Sequence, residues 1–103
     1  MQQEFIDAIH SLSKIQLIFF SKEDGKVITR LVAPMDFGPS RRARDKSDRY
    51  HFWDYGSDKE NHVLSLLPDS IQSLSVINDN FSPAEFVTWP TNWIVSRDWG
   101  QYS

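Results

Sequence analysis

The residues best suited to chemistry fall in two adjoining clusters. Arg41-Arg42-Ala43-Arg44-Asp45-Lys46 places four cations in six positions. Arginine's planar guanidinium makes paired contacts with phosphate or carboxylate oxygens. Just beyond it, Tyr50-His51-Phe52-Trp53-Asp54-Tyr55 is rich in rings. Tyr50, His51, Trp53 and Tyr55 are candidate stacking surfaces for flat ligands such as nucleobases, with strand alternation putting some of them outside. Each cluster also has a structural reading. Charge runs are often solvated loops, and aromatic side chains pack well on pleated sheets.

Other chemistries find little support. There is no Cys, so disulfides, thiolate metal sites and cysteine nucleophiles are excluded. His51 and His62 are metal ligands by type, but no third ligand is spaced to join them, so no metal site is assigned. The serines lack a nucleophile-elbow context, and the four glycines are too scattered to form a phosphate loop. No catalytic residue, enzyme activity or cofactor is expected.

Composition narrows the partners. The net charge of −3 conceals a split: residues 41–49 hold five cations and two aspartates, a balance of +3, leaving −6 on the remainder. A local basic loop on an acidic body suits a small anion and argues against extended duplex DNA, which needs a broad basic face. The longest apolar run, Ile15 to Phe20, is too short for a membrane span. No signal-peptide pattern is present, so the cytoplasm is the expected compartment.

The elements that must position these residues follow from periodicity. Phe5, Ala8, Ile9 and Leu12 form the apolar stripe of a helix over residues 2–12. Asp24-Gly25 signals a tight type I′ hairpin turn between residues 14–22 and 27–33. Centred there, the hairpin pairs Phe19 with Arg30 and Phe20 with Thr29. Ile15, Leu17, Phe19, Ile28, Arg30 and Val32 share one face, with Ile18, Phe20, Val27, Thr29 and Leu31 on the other. Both faces are apolar, so one is expected to line a barrel and the other to be covered. Pro34 is expected to end or edge the second strand, and Phe37 to enter the core. Residues 49–55 and 62–67 form the next hairpin, with Asp54 opposite His62 if the turn is centred on Asp58. Residues 71–77 form a fifth strand. Ser82-Pro83-Ala84-Glu85 opens a short helix with a capping box, stopped by Pro90.

In order and spacing, these segments resemble the WYL domain, a small SH3-like barrel found mainly in bacterial transcriptional regulators. Arg30-x-Val32-x-Pro34 and Phe37 match its first motif. Tyr50-His51-Phe52 stands at the name-giving strand, followed by the His62 to Ile71 strand and turn and by Phe81-x-Pro83. Tyr50 replaces the family's Trp, while His62 and Ser70 replace arginines, so Arg30 is the arginine that matches. The resemblance covers residues 14–87. It implies a ligand site for an anionic or nucleotide-like molecule built from Arg30, Arg41, Arg42, Arg44, Tyr50, His51, Trp53 and His62.

Trp89, Trp93 and Trp99 lie beyond that region. Tryptophan is enriched at interface hot spots, so they are candidates for a protein-interaction surface. Alternatively they fold back onto the barrel, with Trp89 and Trp93 packed and Trp99 partly exposed.

The expected architecture is mainly β: a five-stranded antiparallel SH3/Sm-like barrel with a short N-terminal and a short C-terminal helix. Residues 1–103 form one domain, with the helix at 1–13, the barrel at 14–80 and a helical, Trp-rich tail at 81–103. The expected function is a non-catalytic ligand-sensing or regulatory module of bacterial type. The alternative is a protein-interaction or oligomerisation module using the tail and an exposed strand edge.

Overall fold

The computed structural model describes residues 1–58 and 61–103. Lys59 and Glu60, in the expected turn at 56–61, lie outside the described residues. The apolar stripe of the first segment becomes α1 (Gln2–Ser11), which buries Phe5, Ala8 and Ile9. Phe5 makes edge-to-face contacts with Tyr50 and Phe52 at 5.0 and 5.2 Å. Leu12 then adopts a left-handed conformation, its N–H bonded to the Ala8 carbonyl, and turns the chain into β1.

The strands are β1 (Ser13–Ser21), β2 (Lys26–Pro39), β3 (Asp48–Asp54), β4 (Val63–Leu66) and β5 (Ile71–Asn80). They form one antiparallel sheet in the order β4-β3-β2-β1-β5. The expected closed barrel is corrected by this order. Closure requires the edge strands to pair, and here β4 and β5 are the two free edges. The core is completed instead by α1 and the C-terminal segment, which add Phe5, Phe81, Phe86, Val87 and Trp99 to the buried cluster.

The first hairpin differs in register from the sequence expectation. Phe19 pairs with Ile28 and Phe20 with Val27. The loop spans Lys22 to Gly25, closed by the Gly25 N–H bonding to the Ser21 carbonyl at 2.7 Å. A two-residue displacement leaves each side chain on its expected face. Ile15, Leu17, Phe19 and Val32 are accordingly buried, whereas Phe20, Val27 and Leu31 on the opposite face are exposed, not covered. Gly25 has a φ of +66°, a conformation that a β-branched residue resists. Gly25→Val is expected to cost about 1 kcal/mol or more, read as a lower thermal midpoint. Gly25→Asn should cost less, because Asn tolerates that region.

Pro34 does not end β2. The strand continues to Pro39, with an irregularity between the Pro34–Phe52 and Asp36–His51 pairs. A bulge accommodates a residue that lacks a ladder donor. Residues 32–36 are buried without interruption, which means that both faces of this half of β2 are covered. The C-terminal segment supplies part of this cover, through the Asp36 contacts with Ile94 and Val95, and it also meets α1, with Trp99 donating to the Ile9 carbonyl at 2.9 Å. The second hairpin has the expected register, with Tyr50 opposite Leu66 and Phe52 opposite Leu64.

The capping box at Ser82 forms, its N–H bonded to Glu85 Oε1 at 2.9 Å. The expected C-terminal helix is nevertheless only a 3-10 turn, Pro83–Glu85. Phe86 leaves helical geometry at φ −140° and stacks its ring on Trp53 at 5.3 Å. Residues 91–99 then alternate in burial through a bend at Ile94 and Val95, with Thr91, Trp93, Val95, Arg97 and Trp99 turned inward and the residues between them exposed. No helix among the described residues is long and apolar enough to cross a membrane.

Candidate functional site

The site depends on how the C-terminal segment is fastened to β2. The Asp36 carboxylate accepts hydrogen bonds from the N–H groups of Phe37, Ile94 and Val95 at 3.0, 2.9 and 2.9 Å. It also pairs with Arg97 Nη2 at 3.3 Å. Arg97 donates further to the Met35 and Val95 carbonyls. Its guanidinium lies between the rings of Trp93 and Trp99, 4.2 and 4.4 Å from their centroids. Only 1% of the Arg97 side chain is exposed. Burial lowers its pKa to about 10, opposed by the nearby Asp36 carboxylate, so it stays a cation at neutral pH. Gly38 allows the close approach beside this latch, since a Cβ there would stand 2.5 Å from Ile94 Cδ1.

The latch places the Trp89–Ile94 stretch across from the basic loop and leaves a cleft of about 480 Å³ between them. Its lining takes Arg41 and Arg42 from the loop and Trp89, Asn92 and Trp93 from the tail. Met35, His51 and Ser65 contribute from the sheet. The loop is itself ordered. Lys46 Nζ donates to the Ser40 and Arg41 carbonyls at 3.1 and 3.3 Å. Asp45 accepts from the Ser47 N–H and hydroxyl, which hold its carboxyl below the usual range. Among the described residues, no hydrogen bond or ion pair engages the guanidinium of Arg41 or Arg42.

His51 braces the cleft. Its Nε2 lies 2.9 Å from the Gly38 carbonyl, which can only accept, so Nε2 carries the proton. In the neutral ring Nδ1 then accepts from the Ser65 hydroxyl at 2.7 Å. Both nitrogens are occupied, leaving a ring edge rather than a metal ligand. No group of three His, Asp or Glu suited to a metal occurs among the described residues.

Of the residues expected to bind ligand, the fold brings Arg41, Arg42 and His51 together and adds Trp89 and Trp93 from the tail. Five others are placed elsewhere for physical reasons. Arg30 turns toward the Asp54 carboxylate at 3.6 Å and the Gly56 carbonyl at 3.2 Å. Tyr50 is buried, stacked on Phe37 at 4.8 Å. Trp53 has both ring faces occupied, by His62 at 4.8 Å and by Phe86. His62 Nδ1 donates to the Asp54 backbone carbonyl at 2.9 Å, so the cross-strand pair is made through the main chain. Arg44 is exposed in the loop and does not line the cleft.

The tryptophans reverse their expected order of burial. Trp99 is 5% exposed and Trp89 38%. Trp99 donates its indole N–H to the Ile9 carbonyl at 2.9 Å, and Trp93 donates to that of Tyr102 at 2.8 Å. The indole N–H of Trp89 has no hydrogen-bond partner among the described residues. Sequence reasoning misses the latch because an aspartate in a turn usually bonds its own backbone, and nothing local to Asp36 marks it as the acceptor for a distant segment. The usable signal was Trp93-x-x-x-Arg97-x-Trp99: in an extended chain it places a cation between two rings on one face.

No protein-family model matches the chain, nor does any curated protein or solved structure.

Proposed function

We propose that the protein is a non-catalytic regulatory module that holds a small anionic or nucleotide-like ligand in the cleft between the basic loop and the tail. One observation carries this reading. Arg41 and Arg42, whose guanidinia have no partner among the described residues, line the same cleft as the exposed ring of Trp89. A concave site with apolar walls and a few convergent polar groups is the usual form of a small-molecule site. Asp36 and His51, the other titratable groups lining the cleft, are committed to structural hydrogen bonds; this favours binding over catalysis. The likeness to WYL domains adds the biological setting, bacterial transcription regulation in the cytoplasm, with no cofactor.

Replacing Arg41 and Arg42 together by Ala is the test. With a panel of phosphate, ribose 5-phosphate and nucleotides at low salt, affinity should fall about tenfold or more, since hydrogen bonds to charged groups contribute about 1.5–3 kcal/mol each. The melting temperature should hold, because both side chains are exposed. Silence across the panel, or binding indifferent to the two substitutions, would contradict the reading.

A second reading, protein interaction or self-association, draws support from the exposed apolar face of Phe20, Val27 and Leu31 and from the free β5 edge. It moves the contact surface from the tail to the β1–β2 hairpin. Sedimentation that changes with protein concentration, and stops changing in Phe20→Lys, would favour it.

A further inference from the structure

We infer that the cleft takes a mononucleotide, with its phosphate on Arg41 and Arg42 and its base stacked on Trp89; this rests on the ligand-binding reading above. Three observations select that class. The first is the division of labour among the tail tryptophans. Trp93 and Trp99 are fixed by indole hydrogen bonds and by the Arg97 guanidinium between them. Trp89 is not needed for that latch, yet it is held at the cleft by the neighbouring Pro90 and by edge contact with Trp93 at 6.1 Å. A large ring kept in place, 38% exposed and with its N–H unbonded among the described residues, is a stacking platform.

The second is the polar complement. Asn92 lines the same cleft, exposed and without a hydrogen-bond partner among the described residues. Asn61, at the rim, uses its Oδ1 on the Val63 N–H and keeps its amide N–H groups. Two side-chain amides beside an aromatic platform can meet the donor and acceptor edge of a base. An inorganic anion would leave them and Trp89 unused.

The third is extent. The cleft of about 480 Å³ is within the range of sites for single small molecules. The local excess of positive charge is confined to residues 41–49, and the rest of the chain carries a net −6. A long nucleic acid strand needs an extended basic track, which this balance does not supply, whereas a free nucleotide needs only the local one.

The experiment compares AMP, GMP, CMP and UMP with ribose 5-phosphate and a single-stranded hexanucleotide, by calorimetry at low salt, on the whole chain and on Trp89→Ala, Trp89→Phe and Trp89→Leu. At least one nucleotide should bind about tenfold or more tighter than ribose 5-phosphate. Trp89→Ala and Trp89→Leu should erase that advantage while ribose 5-phosphate binding and the melting temperature hold; Trp89→Phe should keep most of it. Equal binding of nucleotides and ribose 5-phosphate would overturn the stacking assignment and leave the anion reading intact. No binding of either would overturn both. A hexanucleotide that binds more tightly than its number of nucleotides accounts for would overturn the mononucleotide assignment. Loss of folding in all three Trp89 variants would make the ring structural and would also overturn it.

Discussion

Asp36→Ala is expected to come close to unfolding the protein. The substitution removes the acceptor shared by the Ile94 and Val95 N–H groups and leaves Arg97 as a buried cation without its carboxylate. Breaking a buried pair from one side typically costs about 3–5 kcal/mol, against a total stability of about 5–15 kcal/mol for an ordinary domain. Asp36→Asn keeps the shape but turns an NH₂ group toward donors, so it should recover only part of the loss. Urea unfolding monitored by tryptophan fluorescence would measure both. A midpoint for Asp36→Ala within about 0.5 kcal/mol of the parent would show that the latch does not hold the tail.

The second large effect belongs to Trp99. Its ring meets Phe81 at 5.5 Å and Trp93 at 5.4 Å, and its N–H reaches α1 through the Ile9 carbonyl. Trp99→Ala should cost about 3–5 kcal/mol, the usual range for a buried Trp. Trp89→Ala should cost far less, since that ring is exposed and, among the described residues, makes only its edge contact with Trp93. The ranking Trp99 above Trp89 opposes the intuition that residues near a chain end fray. Thermal unfolding of the two variants checks it, and equal losses would contradict the packing described here.

These two effects show where the sequence was legible. Local patterns carried α1, the β3–β4 register and the Ser82 capping box, because helical spacing, alternation and cap chemistry are encoded within a few residues. The Asp24-Gly25 signal placed the first hairpin on the correct faces, but the loop length was set by the Ser21–Asp24–Gly25 hydrogen bonds. Non-local choices escaped. Pro34 reads as a strand end unless a bulge is foreseen. Sheet closure was expected from strand count, yet the order of strands leaves β4 and β5 apart. The candidate site was half legible. Arg41, Arg42 and His51 stood out by type, but their meeting with Trp89 depends on Asp36 reaching residues nearly sixty positions away.

The most direct test of the cleft follows the four indole N–H signals of the intact protein by NMR while AMP is added at low salt. The account predicts that the Trp89 signal moves most and Trp93 less, together with the backbone amides of Arg41 and Arg42. Trp53 and Trp99 should stay in place, since the first is covered on both faces and the second is buried. Movement centred on Trp53, Tyr50 and Arg30 would put the ligand on the strand that the WYL likeness implies and contradict the cleft. An unchanged spectrum at millimolar AMP, GMP, CMP and UMP in turn would contradict it as well.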